Sequence, residues 1–213
     1  MKGVSEIIAA IMIVTITIGL TSTAYIWGVP LIEKRQQATV TERVFEQFSP
    51  TNANSLPKLI EDVANNKGSR SFTINADGIW VLDENEDTLS FTFTSKSSNI
   101  AGGTQNPISL TQSVQCTPSP SPAIGVQGEG SSSVVCVNAT NRGDSFEIKY
   151  KVWFRELDDN PFGTNPTGYK INLVKDSSGL TSTTGKTITV SYVDSSSQSV
   201  GSKTLITKQI KIL

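Results

Sequence analysis

Histidine does not occur in the 213 residues. Its absence removes the commonest general base and the commonest zinc ligand, and leaves Ser-His-Asp or Cys-His catalysis without a middle member. Cysteine is nearly absent too. Cys116 and Cys136 stand alone, with no CxxC and no Cys/His cluster, which argues against a thiolate metal centre. Two readings stand for the pair: one disulfide in an oxidising compartment, or two buried free thiols. Charge is also sparse, with Lys+Arg 18 against Asp+Glu 19 and a net charge of -1, so there is no basic field of the kind nucleic-acid binding requires. Carboxylates are too scattered to nominate an acid/base pair. The expectation is a protein that is not an enzyme and uses no metal or cofactor.

What is present is a long apolar run near the N-terminus. From Ile7 to Ile32 there is no Asp, Glu, Lys or Arg. At ~1.5 Å per residue, a helix of that length crosses a hydrocarbon core of ~30 Å. A secretory signal peptide has a shorter apolar region closed by a small-residue cleavage site, and Thr21, Ser22, Thr23 and Ala24 do not form one.

Ahead of the run stand Lys2-Gly3 and then Val4-Ser5-Glu6-Ile7-Ile8. This order resembles the class III signal peptide of archaeal type IV pilins and archaellins, over roughly the first 35 residues. The acid falls at the third position after Gly3, the archaeal pattern, whereas bacterial type IV pilins carry theirs at the fifth. The resemblance implies cleavage by a prepilin peptidase between Gly3 and Val4, discarding residues 1–3, with the apolar run retained as membrane anchor and then filament core. Glu6 then has two readings. It pairs with the freed amine of Val4 on its own or a neighbouring subunit, or it lies at the headgroup level as a helix N-terminal acid favoured by the dipole.

The flanking charges oppose that orientation. Lys34-Arg35 follow the run, so the positive-inside rule places this second flank in the cytoplasm. The resemblance places it outside, where a disulfide and a glycosylation sequon belong. Thr15, Thr17, Thr21, Ser22 and Thr23 suit helix-on-helix packing, since their hydroxyls can bond to helix carbonyls. Gly28 and Pro30 predict a kink or local melting. Beyond them Leu31, Ile32, Val40, Val44, Phe45 and Phe48 recur at helical spacing, so an amphipathic helix should continue to Ser49-Pro50.

After residue 49 the pattern changes. Leu56 to Val63 suggests one or two helical turns closed by Asn65-Asn66-Lys67-Gly68, and from there the period becomes two. Ser71 to Ile74 and Ile79 to Leu82 predict a hairpin around Asp77-Gly78. The segment 83–87 predicts a turn into Thr88 to Thr94. Phe146 to Arg155 predicts a half-buried antiparallel strand, with Phe146, Ile148, Tyr150, Val152 and Phe154 in the core and Trp153 among the residues on the wet face. Tyr169 to Val174, Thr187 to Val193 and Leu205 to Leu213 continue the series, with turns at 176–179 and 194–199. Between Gln115 and Ser133, Pro118, Pro120, Pro122, Gly125, Gly128 and Gly130 predict a surface loop, which Cys116 and Cys136 would pin at its base.

Two further segments are candidates for chemistry. Asp83-Glu84-Asn85-Glu86-Asp87 has alternating oxygens, but Thr88 and Thr94 stand where a calcium loop has its glycine and terminal acid, so a solvated turn is the competing reading. Asn138-Ala139-Thr140 is an N-glycosylation sequon, whereas Asn165-Pro166-Thr167 is disqualified by its proline. The whole is expected to be α+β: a prepeptide (1–3), a hydrophobic helix (4–48) and an extracellular antiparallel β-sandwich or β-barrel head (49–213). With the resemblance it implies a pilin-like filament subunit serving surface adhesion, whose partners are copies of itself, the prepilin peptidase and assembly machinery, and the membrane before assembly. A membrane-anchored extracellular β-domain that does not polymerise is the alternative.

Overall fold

The computed structural model describes residues 2–100, 106–111, 114–116, 124–160, 162–175 and 182–212. A single helix, α1 (Lys2–Phe48), runs from the N-terminal end to the head. Its Ile, Val and Thr residues are indifferent helix formers in water, so the helix depends on an environment that forces backbone groups to bond internally. The threonines join that internal bonding. Thr15, Thr17, Thr21 and Thr23 donate their hydroxyls to the carbonyls of Ile11, Ile13, Thr17 and Gly19 at 2.7–2.8 Å. Local melting near Pro30 does not occur: residues 28–30 are helical and the proline lies inside α1. Pro30 has no N–H, so the Ile26 carbonyl lacks its usual donor four residues on. The helix stops at Phe48, as Ser49-Pro50 predicts.

The second helix, α2 (Leu56–Asn66), is longer than its expected turns. Pro57 sits in its first turn, where a missing N–H does no harm, and Lys67 closes it in the left-handed conformation at φ 55°. Leu56, Ile60, Val63 and Ala64 are buried along one face.

Among the described residues twelve strands follow: β1 (Ser69–Thr73), β2 (Ile79–Asp83), β3 (Thr88–Ser95), β4 (Ile108–Ser109), β5 (Gly125–Val126), β6 (Ser133–Asn141), β7 (Phe146–Phe154), β8 (Leu157–Asp158), β9 (Thr167–Lys175), β10 (Ser182–Thr184), β11 (Thr187–Val200) and β12 (Lys203–Ile212). They form two six-stranded sheets, β1-β11-β12-β9-β8-β5 and β10-β2-β3-β7-β6-β4. The α+β architecture is as expected, with four differences in detail.

The hairpin at Asp77-Gly78 does not exist. β1 pairs with β11 and β2 pairs with β3 and β10, so the two strands belong to different sheets. Neither Asp77 nor Gly78 has the positive φ that a type I′ turn requires. Gly78 serves a close crossing instead, because a Cβ there would collide with the Phe91 ring and the Thr92 carbonyl. Pairing is also not wholly antiparallel: β12 runs parallel to β9, and β5 to β8. Residues 194–199, expected as a turn, are strand. They extend β11 along β12 with a register shift between Tyr192 and Asp194, and the chain reverses instead at Gly201, φ 65°. Trp153, expected on the wet face, is buried with Val114, Val134 and Cys136 in a small second core. The turn expected at 176–179 and the three prolines 118, 120 and 122 lie outside the described residues.

One main core holds side chains from both sheets and both helices, among them Phe72, Leu173 and Ile210 from the first sheet and Phe91, Val135 and Val152 from the second. The end of α1 is inside it. Val44 and Phe48 have no solvent exposure, and the Phe48 ring stacks on Tyr150 at 4.4 Å, with Phe91 and Trp80 at 6.0 and 6.1 Å. The head is thus built around the last turns of the helix that carries it.

Candidate functional site

The most conspicuous chemistry on the described surface is the apolar length of α1. Ile7 through Ile18 and Leu20, Tyr25, Ile26 and Trp27 expose more than half of their surface wherever they are large and apolar, with Trp27 at 80%. This helix is long and apolar enough to cross a membrane. The twenty residues from Ile7 to Ile26 make ~30 Å of helix, the thickness of a hydrocarbon core. Tyr25 and Trp27 lie at the end of that length, where amphipathic rings favour the interface between lipid and water. Leu31 and Ile32 lie beyond it and are exposed at 56% and 57%.

Polar contacts fix the other end of the helix to the head. The Thr41 hydroxyl lies 3.0 Å from Ser95 Oγ and 3.1 Å from the Ser97 carbonyl. Gln47 clamps the β1 exit: its Nε2 donates to the Thr73 carbonyl at 2.9 Å, and its Oε1 accepts from the Asn75 N–H at 3.0 Å. Lys96 reaches Glu33 at 2.5 Å. No sequence motif marks these contacts, although Thr41 shares the helical spacing of Val44 and Phe48 that places it on the buried face.

Of the residues singled out for processing and assembly, Gly3 and Val4 lie in the first turn of α1, and Glu6 follows on its exposed surface. Glu6 makes no ion pair among the described residues, so any charge partner must come from outside those contacts. Cys116 and Cys136 are at disulfide distance, Cα–Cα 6.0 Å, and tie the loop segment to β6 beside Trp153. Asn138 is in β6 opposite Lys149, with its side-chain oxygen buried and without a hydrogen-bond partner. The sequon therefore occupies a strand, with Thr140 exposed and Ala139 in the core.

The acidic turn at 83–87 ties the two sheets together. Asp83 Oδ1 accepts from the N–H groups of Asn85 and Glu86, which shapes the turn itself. Glu84 accepts from the Lys175 N–H at 2.8 Å and Asp87 from the Leu173 N–H at 2.7 Å, both on β9 of the opposite sheet. Lys175, Lys151 and Lys170 pair with Glu84, Glu86 and Asp87. Hydrogen bonding from Lys175 holds the Glu84 carboxyl below its ordinary pKa, whereas burial pushes that of Asp87 up. Among the described residues no group of three or more His, Cys, Asp or Glu is placed to hold a metal ion. At 158–160, Asp158 pairs with Lys203, and Asp159 accepts from the Thr167 N–H at 2.7 Å.

The arrangement supplies an apolar surface for lipid or for other helices, joined without a break to a folded head. No protein-family model, curated protein or solved structure matches this chain.

Proposed function

We propose that this chain is the structural subunit of an extracellular filament of the archaeal type IV pilus kind, serving surface adhesion. Its first residues resemble a class III signal peptide, with cleavage between Gly3 and Val4. The helix is first a membrane anchor and then part of a bundled filament core, while the heads, read as β-sandwiches, coat the outside. Its partners are copies of itself, the prepilin peptidase and assembly machinery, and the membrane before assembly.

The observation that carries the reading is the exposure of Leu31 and Ile32. They stand past the interfacial Trp27 and past the ~30 Å of helix that lipid covers when the helix lies along the membrane normal, so a lone upright anchor leaves them in water. A bundle of such helices buries them. The threonine hydroxyls do not discriminate: each already donates within its own helix, which suits lipid and helix packing alike. A helix whose end is embedded in the head core also holds every head at one height on the rod, as a helical array requires.

Expression with the cognate peptidase, followed by N-terminal sequencing and electron microscopy of the cells, tests the proposal. The expected result is a mature terminus at Val4 and filaments that contain this chain. A terminus at Met1 refutes the processing step. Filaments lacking the chain, with the protein confined to membranes, would instead make it an anchored β-domain.

A further inference from the structure

A cavity of about 290 Å³ opens on the head between α2, β9, β12 and the turn that leads into β6. Its wall carries Lys58, Arg155, Lys170 and Lys208 against the single carboxylate of Glu61. Glu61 is already engaged: Lys58 pairs with Oε2 at 2.7 Å, while the Ser132 hydroxyl and the Ser133 N–H donate to Oε1. Lys170 is balanced by Asp87 at 3.2 Å.

Arg155 and Lys208 have no ion-pair partner among the described residues. Both are held by neutral oxygens instead. Arg155 Nε donates to the Ser131 carbonyl at 2.8 Å, which commits one of its donors, and Lys208 Nζ donates to Asn65 Oδ1 at 2.8 Å. Space for the guanidinium is built into the backbone. A Cβ on Gly130 would stand 2.5 Å from Arg155 Nη2, and one on Gly125 2.8 Å from its Cζ. Two half-buried cations without counter-charge in one cavity favour an anion there.

The rest of the wall argues for more than a bare anion. The ring of Tyr169 and the side chains of Leu157 and Ile171 offer apolar surface, while Gln127 and Ser131 offer donors and acceptors. The volume lies near the lower end of the ~300–1,000 Å³ range of small-molecule sites. We propose that this cavity binds a carboxylate-bearing sugar, with Arg155 and Lys208 taking the carboxylate, the amide and hydroxyl groups taking the sugar hydroxyls, and Tyr169 lying against the ring. The site requires only the folded head and does not depend on polymerisation.

The test is calorimetric titration of the full chain, held as a monomer in polyoxyethylene micelles that carry neither charge nor sugar. The probes are glucuronate, glucose, sulfate and polygalacturonate. Glucuronate should bind at least ~10-fold more tightly than glucose or sulfate, and Lys208→Gln should weaken it ~10-fold or more with an unchanged melting temperature. Gly130→Ala, which displaces Arg155 from a different element, should weaken it similarly. Tighter binding of polygalacturonate identifies a surface polysaccharide as the source, and binding of glucuronate alone identifies the free sugar acid; both support the proposal. Equal binding of sulfate, equal binding of glucose, or no binding of either uronate overturns it. Because the protein stays monomeric, failure here leaves the filament reading untouched.

Discussion

Replacing Phe48 by alanine removes a side chain with no solvent exposure from the centre of an aromatic stack formed with Tyr150 at 4.4 Å, Phe91 at 6.0 Å and Trp80 at 6.1 Å. Truncating a buried phenylalanine destabilises by about 3–5 kcal/mol, which includes the lost ring contacts and the void left behind. Against a total stability of ~5–15 kcal/mol this is a large fraction. For a domain of this size each kcal/mol shifts the melting temperature by roughly 2–4 °C, so Phe48→Ala should melt about 6–20 °C lower. The assay is thermal unfolding of the full chain in micelles, followed by near-ultraviolet circular dichroism, which reports the buried tryptophans of the head. Ile16→Ala is the matched control: it truncates an apolar residue of the same helix that is 57% exposed, and should leave the head transition within ~2 °C. A Phe48→Ala shift below ~2 °C, or an equal shift in the control, would refute the claim that the helix end is part of the head core.

Other regions of the molecule give further expected outcomes. On the proposed filament reading, changing Leu31 and Ile32 together to serine should abolish filaments while leaving the protein in the membrane fraction; unchanged filaments by electron microscopy would remove the argument from their exposure. Changing both Cys116 and Cys136 to serine releases a loop with a sequence separation of 20 and should destabilise by about 3 kcal/mol, so equal urea midpoints for the variant and the native chain would contradict it. In the acidic turn the two carboxylates have opposite signs. The lowered pKa of Glu84 gives stability that is present above its ordinary 4.5 and lost as pH falls through the folded value, so Glu84→Gln should flatten the acid limb of the stability profile. The raised pKa of Asp87 works the other way: stability falls as pH rises from 3.8 through the folded value, so Asp87→Asn should gain relative to the native chain over that rise. Urea midpoints between pH 3 and 7 check both signs.

Features that rest on local chemistry were legible in the sequence. The apolar run and its stop at Ser49-Pro50, the turn from β2 into β3, and the alternation along β7 each follow from a few adjacent residues. Partner choice was not legible, because β1 finds β11 from more than a hundred residues away, and the Asp77-Gly78 dipeptide signals a turn that its backbone does not make. The outer half of β11 was missed for a different reason. Its Ser and Gln side chains are exposed, so ladder bonding to β12 holds it without the apolar alternation that betrays a strand. Trp153 was misplaced because its cover, Val114 and the cystine, comes from the loop region. The cavity was invisible for the same reason as the sheets: Lys58, Arg155 and Lys208 meet only once α2, the region after β7, and β12 have come together.

The place of β12 has a consequence for biogenesis. Residues 203–212 occupy an interior position of their sheet, between β11 and β9, whereas the other sheet takes its interior strands from residues before 155. One sheet can therefore assemble early in synthesis, while the other has an unfilled slot with two open edges until the last of its strands has emerged. A chain halted before Lys203 leaves the helix bearing a half-built head with open sheet edges, and the addition of β12 is the step that closes them.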